Sequence, residues 1–243
     1  MKFVCQLGLA FFLVSLPGCG GGVMPDPPAS KADYSTKFPA TENPISDGGK
    51  WVNGGMVGLD WTDVFTTSAL AFGLDEPANY ADATAVLQGL TWAPDQKATG
   101  VVSTIGSPLE ECFQEVELRL RTVISAHSIT GYEINYKFSN DSTAYMTIVR
   151  WNGPFGNFTT LKAFSGQQFG VKNGDVVSAT VVGNVITAFK NGVQQGQVTD
   201  STYSSGSPGI GFNLSSGVSG CAGTGANFGF SSFTALDSTQ GSF

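Results

Sequence analysis

GDVVSATVVGNVITAFKNGVQQGQVTDSTYSSGSPGIGF, residues 174–212, contains three short apolar runs separated by two turn signals. The runs are Val176–Val182, Val185–Lys190 and Val193–Thr199, and the dipeptides between them are Gly183-Asn184 and Asn191-Gly192. Each dipeptide supplies residues that tolerate a positive φ, which two-residue hairpin turns of type I′ or II′ require. The runs are rich in Val, Ile, Thr and Phe, which favour strands. The stretch predicts an antiparallel meander whose apolar face needs a second layer, so we expect an all-β sandwich of two antiparallel sheets.

The composition limits the class of protein. Charged residues make up only 13% of the 243 residues, and Gly (32) and Phe (18) are abundant. A disordered chain shows the opposite balance. The formal net charge is −7 and no cluster of Lys or Arg stands out, which argues against nucleic acid as a partner, because phosphate binding needs clustered cations. All-β chains of this length commonly form one domain, so we do not divide the folded part.

The N-terminus has the pattern of an export signal. Lys2 precedes an apolar run over residues 3–16, which is too short to span a membrane and is typical of a signal peptide over residues 1–18. The end of the run, Leu16-Pro17-Gly18-Cys19, resembles the lipobox of bacterial lipoproteins. The resemblance implies that Cys19 carries lipid and anchors the protein to the bacterial cell envelope, at the outer membrane. Ordinary secretion is the alternative.

The rest of the chain divides into three parts. Residues 19–40 contain several Gly and Pro residues and predict a tether. Residues 41–237 predict the sandwich domain, and residues 238–243 a C-terminal tail. Within the domain, residues 113–122 fit both a helical stripe and a strand. We predict a strand, because Val116, Leu118 and Leu120 alternate strictly with charged residues and the surrounding segments favour strands.

Four longer segments carry a resemblance to a known superfamily. They are GYEINYKFSNDSTAYMTIVRWNG (131–153), VKNGDVVSATVVGNVITAFKNG (171–192), TDSTYSSGSPGIGF (199–212) and NFGFSSFTALD (227–237). Together they resemble the concanavalin A-like, LamG-type jelly-roll domains of secreted bacterial proteins, over roughly residues 43–237. The resemblance implies a jelly-roll sandwich. Its members include lectins, carbohydrate-binding modules, glycoside hydrolases and polysaccharide lyases, so the function has to be argued from a site.

The polar faces of two neighbouring strands form the candidate site. Glu115, Glu117, Arg119 and Arg121 share one strand face, and Glu133, Asn135 and Lys137 share one face of the next strand. Such a surface could bind a glycan, with aromatic side chains packing against sugar rings. The predicted ligand-binding residues are Glu117, Arg119, Arg121, Glu133, Asn135, Tyr145 and Trp151. The alternative is a solvated, salt-bridged sheet face. If these side chains are buried beneath another layer of the protein, no surface is left for the predicted ligand.

Two enzymatic alternatives are weaker. Laminarinase-type jelly-roll hydrolases carry Glu-x-Asp-x-Glu on one strand, whereas here Glu115-Val116-Glu117-Leu118-Arg119 lacks the Asp and ends in Arg119. A neighbouring cation lowers a carboxyl pKa, which works against a proton donor. A lyase would use His127 as the base with Arg119, Arg121 and Tyr132. Alginate-lyase-type jelly rolls carry Gln-x-His within a strand, whereas this chain has Ser125-Ala126-His127 in a turn.

The remaining motifs predict little chemistry. Single acids beside turns, such as Asp141 and Asp175, need no ion, so we expect neither a metal nor a cofactor, and a structural calcium has no support. Cys112 and Cys221 remain once Cys5 and Cys19 are assigned, and a disulfide between them is compatible with export. The sequence therefore predicts a surface lipoprotein that binds carbohydrate without catalysis. A lyase, a hydrolase and a structural or adhesion protein of the envelope are the alternatives.

Overall fold

The computed structural model describes residues 31–74, 82–104, 114–214, 227–238 and 243. These residues form fifteen strands and two single-turn 3-10 segments, Gly55–Val57 and Gln167–Phe169. The strands are β1 Asp33–Thr36, β2 Trp51–Asn53, β3 Val64–Thr67, β4 Leu70–Gly73, β5 Asp82–Leu87, β6 Asp95–Thr104, β7 Gln114–Ser125, β8 Ser128–Lys137, β9 Tyr145–Gly153, β10 Phe158–Ser165, β11 Val176–Val182, β12 Val185–Lys190, β13 Val193–Thr199, β14 Ser207–Leu214 and β15 Phe228–Ser238. Within the described ranges, none of the helical segments has the length and apolarity needed to cross a bilayer.

The strands form two antiparallel sheets. One sheet has eight strands in the order β13-β12-β11-β6-β15-β4-β3, with β1 also pairing to β15. The other has seven strands in the order β10-β9-β8-β7-β14-β5-β2. Strands adjacent in the chain often pair, but β7 pairs with β14 and β5 pairs with β14, so distant segments meet at the centre of the seven-stranded sheet. This arrangement confirms the predicted jelly-roll sandwich.

The meander has the predicted strands and turns. β11, β12 and β13 pair in sequence, with Val182 opposite Val185 and Lys190 opposite Val193. Gly183 has φ +53°, and Asn191 and Gly192 have φ +52° and +77°. These are the left-handed conformations that tight hairpin turns demand, which explains why Gly and Asn stand there.

The strand prediction is confirmed for residues 114–122, which belong to β7. Val116, Leu118 and Leu120 of β7 are fully buried in the core between the sheets. The rings of Phe212 and Phe230, one from each sheet, lie 5.4 Å apart in the same core. Large apolar side chains from both sheets therefore interdigitate, and the alternate residues of β7 face away from the core.

The N-terminal strands extend the sandwich beyond its predicted start. β3 and β4 pair through a turn in which Ala69 has φ +68°. Residues 33–36, predicted as tether, form β1 and pair with residues 233–236 of β15. Tyr34 and Phe38 are buried there, so hydrophobic burial extends the sandwich towards the N-terminus.

Several predictions lie outside the described residues. They are the signal peptide, the lipidation site Cys19 and the disulfide between Cys112 and Cys221. These stay predictions.

Candidate functional site

Polar side chains cross the outer face of the seven-stranded sheet, the face turned away from the core. Glu117 lies opposite Asn135, and Arg119 lies opposite Glu133, on β7 and β8. On the other side of β7, Gly211 of β14 lies opposite Glu117. Because Gly211 has no side chain, the guanidinium of Arg119 has room to extend across it towards Asp82 of β5.

Arg119 joins three carboxylates in a buried cluster. Its Nη2 donates to Asp82 Oδ1 at 2.8 Å and to Glu117 Oε2 at 2.5 Å. Its Nη1 donates to Glu133 Oε2 at 2.7 Å. None of these side chains is more than 4% exposed. The predicted pairing of Glu and Arg across strands is present, but it is buried and not solvated.

A segment after β2 covers part of this cluster. The ring of Trp61 lies 5.3 Å from Cζ of Arg119 and 4.6 Å from the ring of Trp151. Trp61 packs with Leu59 and Ile129 in a small apolar cluster on this face. Arg119 is therefore beneath Trp61, and Glu117 is buried beside it. Their prediction as direct ligand contacts is wrong, because neither side chain lines the open part of this face.

The rest of the face remains open as a cleft of about 360 Å³. The lining residues are Asp82, Glu115, Glu133, Asn135, Tyr145, Thr147, Val149, Trp151, Phe158, Thr160, Ala163, Ser165 and Asn213. Four of the seven predicted ligand-binding residues are among them, namely Glu133, Asn135, Tyr145 and Trp151. The edge strand β10 forms one wall, and the outer faces of β9, β8 and β7 form the floor.

Hydrogen bonds fix the polar floor of the cleft. Trp151 Nε1 donates to Glu133 Oε2 at 2.5 Å, and Asn135 Nδ2 donates to Glu133 Oε1 at 3.2 Å. The hydroxyl of Thr147 donates to the side-chain oxygen of Asn135, and the hydroxyl of Tyr145 donates to Glu115. Each of these groups is held in one orientation, so the floor is organised before any ligand arrives.

An aromatic pair stands at the wall of the cleft. The rings of Trp151 and Phe158 lie 5.1 Å apart. Trp151 is 3% exposed, whereas Phe158 is 47% exposed. Phe158 therefore offers the accessible ring surface, with Trp151 packed behind it.

Burial raises the pKa values of three acids, Glu115, Asp82 and Glu117. The pKa of Glu115 is raised to about 8, first by burial and then by the charges of Glu133 and Asp82, although the Tyr145 hydroxyl opposes this. The pKa of Asp82 is raised to about 7, first by burial, against the opposing charge of Arg119. Burial and the neighbouring acids also raise the pKa of Glu117 well above its usual range. The expectation that Arg119 lowers these pKa values is wrong in net effect, because burial outweighs the cation.

Three of the acids have the spacing of metal ligands. Carboxylate oxygens of Asp82, Glu117 and Glu133 all lie within 4.8 Å of one another. The Arg119 guanidinium bonds to each of the three and supplies the positive charge that such a group of acids needs. The three acids therefore form a site that fits the guanidinium of Arg119.

Arg121 does not lie on the cleft floor. The pairing of β7 with β8 shifts between Leu120 and Val123, and Arg121 has φ +48°. Its side chain donates to the backbone carbonyls of Pro94, Tyr203 and Gly183, at 2.7, 2.8 and 2.7 Å. The prediction that Arg121 shares a face with Arg119 is wrong, because this bulge changes the direction of the side chain.

The residues of the predicted lyase are not brought together. The side chain of His127 is 77% exposed and bonds to Asp60 at 2.8 Å, at the tip of the β7–β8 hairpin. Tyr132 is fully buried in the core, where its hydroxyl donates to Asp200 Oδ1 at 2.8 Å. Arg119 is buried on the other face of the sheet from Tyr132. The four residues therefore do not form one site.

Three residues of this site were not predicted from the sequence. Phe158 pairs with Trp151 across the β9–β10 hairpin, and the turn signal at Asn152-Gly153 could have placed it there. Asp82 reaches the cluster through the pairing of β5 with β14, which joins segments far apart in the chain. Trp61 lies on a loop, and no periodicity in the sequence indicates which face that loop covers.

Comparisons with known proteins establish the fold. No protein-family model matches the chain, and no curated protein matches it. Among solved structures, it is similar to the kappa-carrageenase zobellia_236 from Zobellia galactanivorans, with 12% identity over 88% of this chain and 98% of that chain, and a TM-score of 0.51. It is also similar to a prokaryotic β-1,3-1,4-glucanase (lichenase) derived from a mouse hindgut metagenome, with 13% identity over 84% of this chain and 98% of that chain, and a TM-score of 0.50. Together with the two antiparallel sheets, these likenesses show a concanavalin A-like jelly-roll β-sandwich.

Proposed function

We propose that the cleft binds carbohydrate and that the protein does not turn it over. The observation that carries this proposal is the exposed ring of Phe158 beside a floor of fixed polar groups, Glu133 and Asn135. Aromatic rings pack against the C–H faces of sugars, and carboxylate, amide and hydroxyl groups bond to sugar hydroxyls. The likeness to the two solved structures establishes the fold alone, so the proposal depends on the cleft.

The arrangement of the cluster supports binding without catalysis. Arg119 stands where the laminarinase-type strand pattern has its last Glu, and Trp61 lies over it. Arg119 carries no transferable proton at ordinary pH, and its charge is engaged by three carboxylates. The strand that bears the catalytic pair in that pattern therefore holds a structural ion cluster here.

The test is glycan binding by the purified full-length protein on a glycan array, followed by calorimetry. Phe158→Ala should weaken binding on the order of tenfold, because loss of the ring contact removes roughly 1.4 kcal/mol. Phe155→Ala is the matched control, since Phe155 is 54% exposed but does not line the cleft. The affinity of the Phe155→Ala variant for the glycan should stay unchanged. Absence of any bound glycan, or an equal loss in both variants, would contradict the proposal.

Hydrolysis is a second candidate, favoured by one observation. Glu115 and Glu133 line the same cleft, and the pKa of Glu115 is raised to about 8, so it holds a proton at neutral pH. Glu133 accepts hydrogen bonds from Arg119 and Trp151, which hold its side chain in place. Glycoside hydrolysis uses two carboxyl groups that flank the scissile bond, one of them as proton donor.

One assay separates binding from hydrolysis. Each glycan bound by the full-length protein is incubated with it, and new reducing ends are measured. We expect none. Release of reducing ends that Glu115→Gln abolishes, while binding is kept, would identify a hydrolase and defeat the non-catalytic proposal.

We also propose that the protein is exported and held at the cell envelope by lipid on Cys19. The support is the sequence pattern at residues 1–19. A structural or adhesion protein of the envelope with no sugar site remains the alternative, and an array with no bound glycan would favour it.

A further inference from the structure

The cleft is lined by acidic side chains and by no basic ones among the described residues. Asp82, Glu115 and Glu133 contribute carboxyl groups to its surface. The described lining residues include no Lys or Arg. The other lining side chains are amides, hydroxyls, aromatic rings and small apolar groups.

The cations nearest to this surface are engaged elsewhere. Both terminal nitrogens of Arg119 bond to the buried carboxylates, and its side chain is 1% exposed. Lys137 lies opposite Glu115 at the margin of the cleft, where its Nζ is 5.9 Å from the ring of Tyr145 and bonds to the Thr143 hydroxyl at 2.8 Å. Arg150 alternates with the cleft-lining Val149 and Trp151 along β9, so it points to the other side, where its Nη1 meets Asp200 at 2.6 Å. Among the described residues, no Lys or Arg therefore lines the cleft itself, and each of these three is already bonded to another group.

The basic residue on the wall strand also faces away. Lys162 of β10 pairs with Ile148, whose side chain is in the core, whereas the next residue, Ala163, pairs with Thr147 and lines the cleft. Residues that are direct neighbours across antiparallel strands share a face. Lys162 is therefore on the opposite side of the strand from the ligand surface.

We propose that this cleft accepts glycans that carry no carboxylate, sulfate or phosphate group and rejects anionic polysaccharides. The inference rests on the proposed carbohydrate binding and deepens it. An anionic sugar would lose the hydration of its charged group in a cleft whose described lining offers no Lys or Arg to replace it, and an unpaired charge that leaves water is unfavourable. A neutral sugar instead presents hydroxyls that donate to the side-chain oxygens of Glu133 and to the hydroxyl oxygen of Thr147.

The experiment compares matched polysaccharides with the full-length protein. Neutral β-glucan, galactan and mannan are each tested beside their sulfated and carboxymethylated forms, by calorimetry at constant ionic strength. A neutral polymer should bind, and its anionic forms should bind at least tenfold more weakly. If an anionic form binds as well as its neutral parent or better, the charge inference is overturned while carbohydrate binding stands. If no polymer of either kind binds, both are overturned.

A gain-of-binding variant tests the cause. Ala163→Lys places a cation on the exposed wall of the cleft, and we expect it to reduce the discrimination against sulfated polymer at least threefold. Thr159→Lys is the matched control, because Thr159 lies on β10 but outside the cleft lining and pairs with Arg150. It should leave the discrimination unchanged. If the two variants have equal effects, general surface charge explains the result and the inference fails.

Discussion

Arg119 shows how one residue can change the role of a whole strand face. Its guanidinium bonds to carboxylates from three strands, β5, β7 and β8. Buried ion clusters contribute little net stability compared with apolar residues, but loss of one partner leaves uncompensated charges in the interior. The cluster therefore makes the fold depend on Arg119.

Arg119→Met should destabilise the protein by about 3–5 kcal/mol, because three buried acids lose their cation. Arg150→Met is the control on β9 of the same sheet, where the pair of Arg150 with Asp200 is partly exposed, with side chains 24% and 10% accessible. That change should cost about 1 kcal/mol or less. Urea unfolding of both variants measures the difference. Equal effects would show that the cluster does not need its cation.

The buried carboxyls should also make stability depend on pH. A carboxyl whose pKa is higher in the folded protein keeps its proton where the unfolded chain has lost it, so folding takes up protons. Stability is then highest near pH 4–5, where the unfolded carboxyls are still protonated, and falls as pH rises towards about 8, the pKa of Glu115. Each such group adds a slope of about 1.4 kcal/mol per pH unit between its two pKa values.

Urea midpoints measured from pH 5 to pH 8 test this dependence. The free energy of unfolding should fall across the range. Glu115→Gln keeps an acceptor for the Tyr145 hydroxyl and should reduce the slope by about 1.4 kcal/mol per pH unit, the contribution of one proton. Asp33→Asn, at an exposed position of β1, should leave the slope unchanged. A stability that rises with pH would show that these acids are ionised in the folded protein.

At the scale of elements, the contact between β7 and β14 determines how the cluster forms. β14 places Gly211 directly opposite Glu117. A Cβ built at Gly211 would lie 2.6 Å from Nη2 of Arg119 and closer still to a Glu117 oxygen. The glycine is needed for space and not for backbone conformation.

Gly211→Ala should therefore destabilise the protein by about 1–3 kcal/mol, the usual effect of overpacking a filled site. Ala163→Ser is the control, because Ala163 is exposed on the edge strand β10, where an added atom enters no filled site. That variant should change stability by only a few tenths of a kcal/mol. Thermal or urea unfolding separates the two, and an unaffected Gly211→Ala variant would mean that the cluster can shift without penalty.

A second effect at this scale is the bulge in β7. Strict alternation places Glu115, Glu117, Arg119 and Arg121 on one face, and it holds for the first three. The shift after Leu120 carries Arg121 to carbonyls at the end of the sandwich. The period of two predicts side-chain direction only while the ladder is regular.

At the scale of the whole molecule, the cellular localisation stays a prediction from residues 1–19. The full-length chain expressed in a Gram-negative host should fractionate with membranes, and Cys19→Ala should release it. Cys5→Ala, within the predicted signal peptide, is the matched control and should leave the protein in the membrane fraction. Identical behaviour of the two variants would contradict lipidation at Cys19.

The sequence determined the two-sheet architecture and most strands of this protein. Turn dipeptides and alternating apolar residues are local signals, so they placed β11, β12 and β13 with their observed bounds. The same alternation correctly put Glu117, Arg119, Glu133 and Asn135 on faces turned away from the core.

Only the tertiary structure decided which of those residues a ligand could reach. Trp61 comes from a loop to cover Arg119, and β5 brings Asp82 beside it through pairing with β14. β10 supplies Phe158 as the accessible ring of the cleft wall. Periodicity shows which way a side chain points along its own strand, but accessibility depends on what packs against that face, and this comes from parts of the chain far away in sequence.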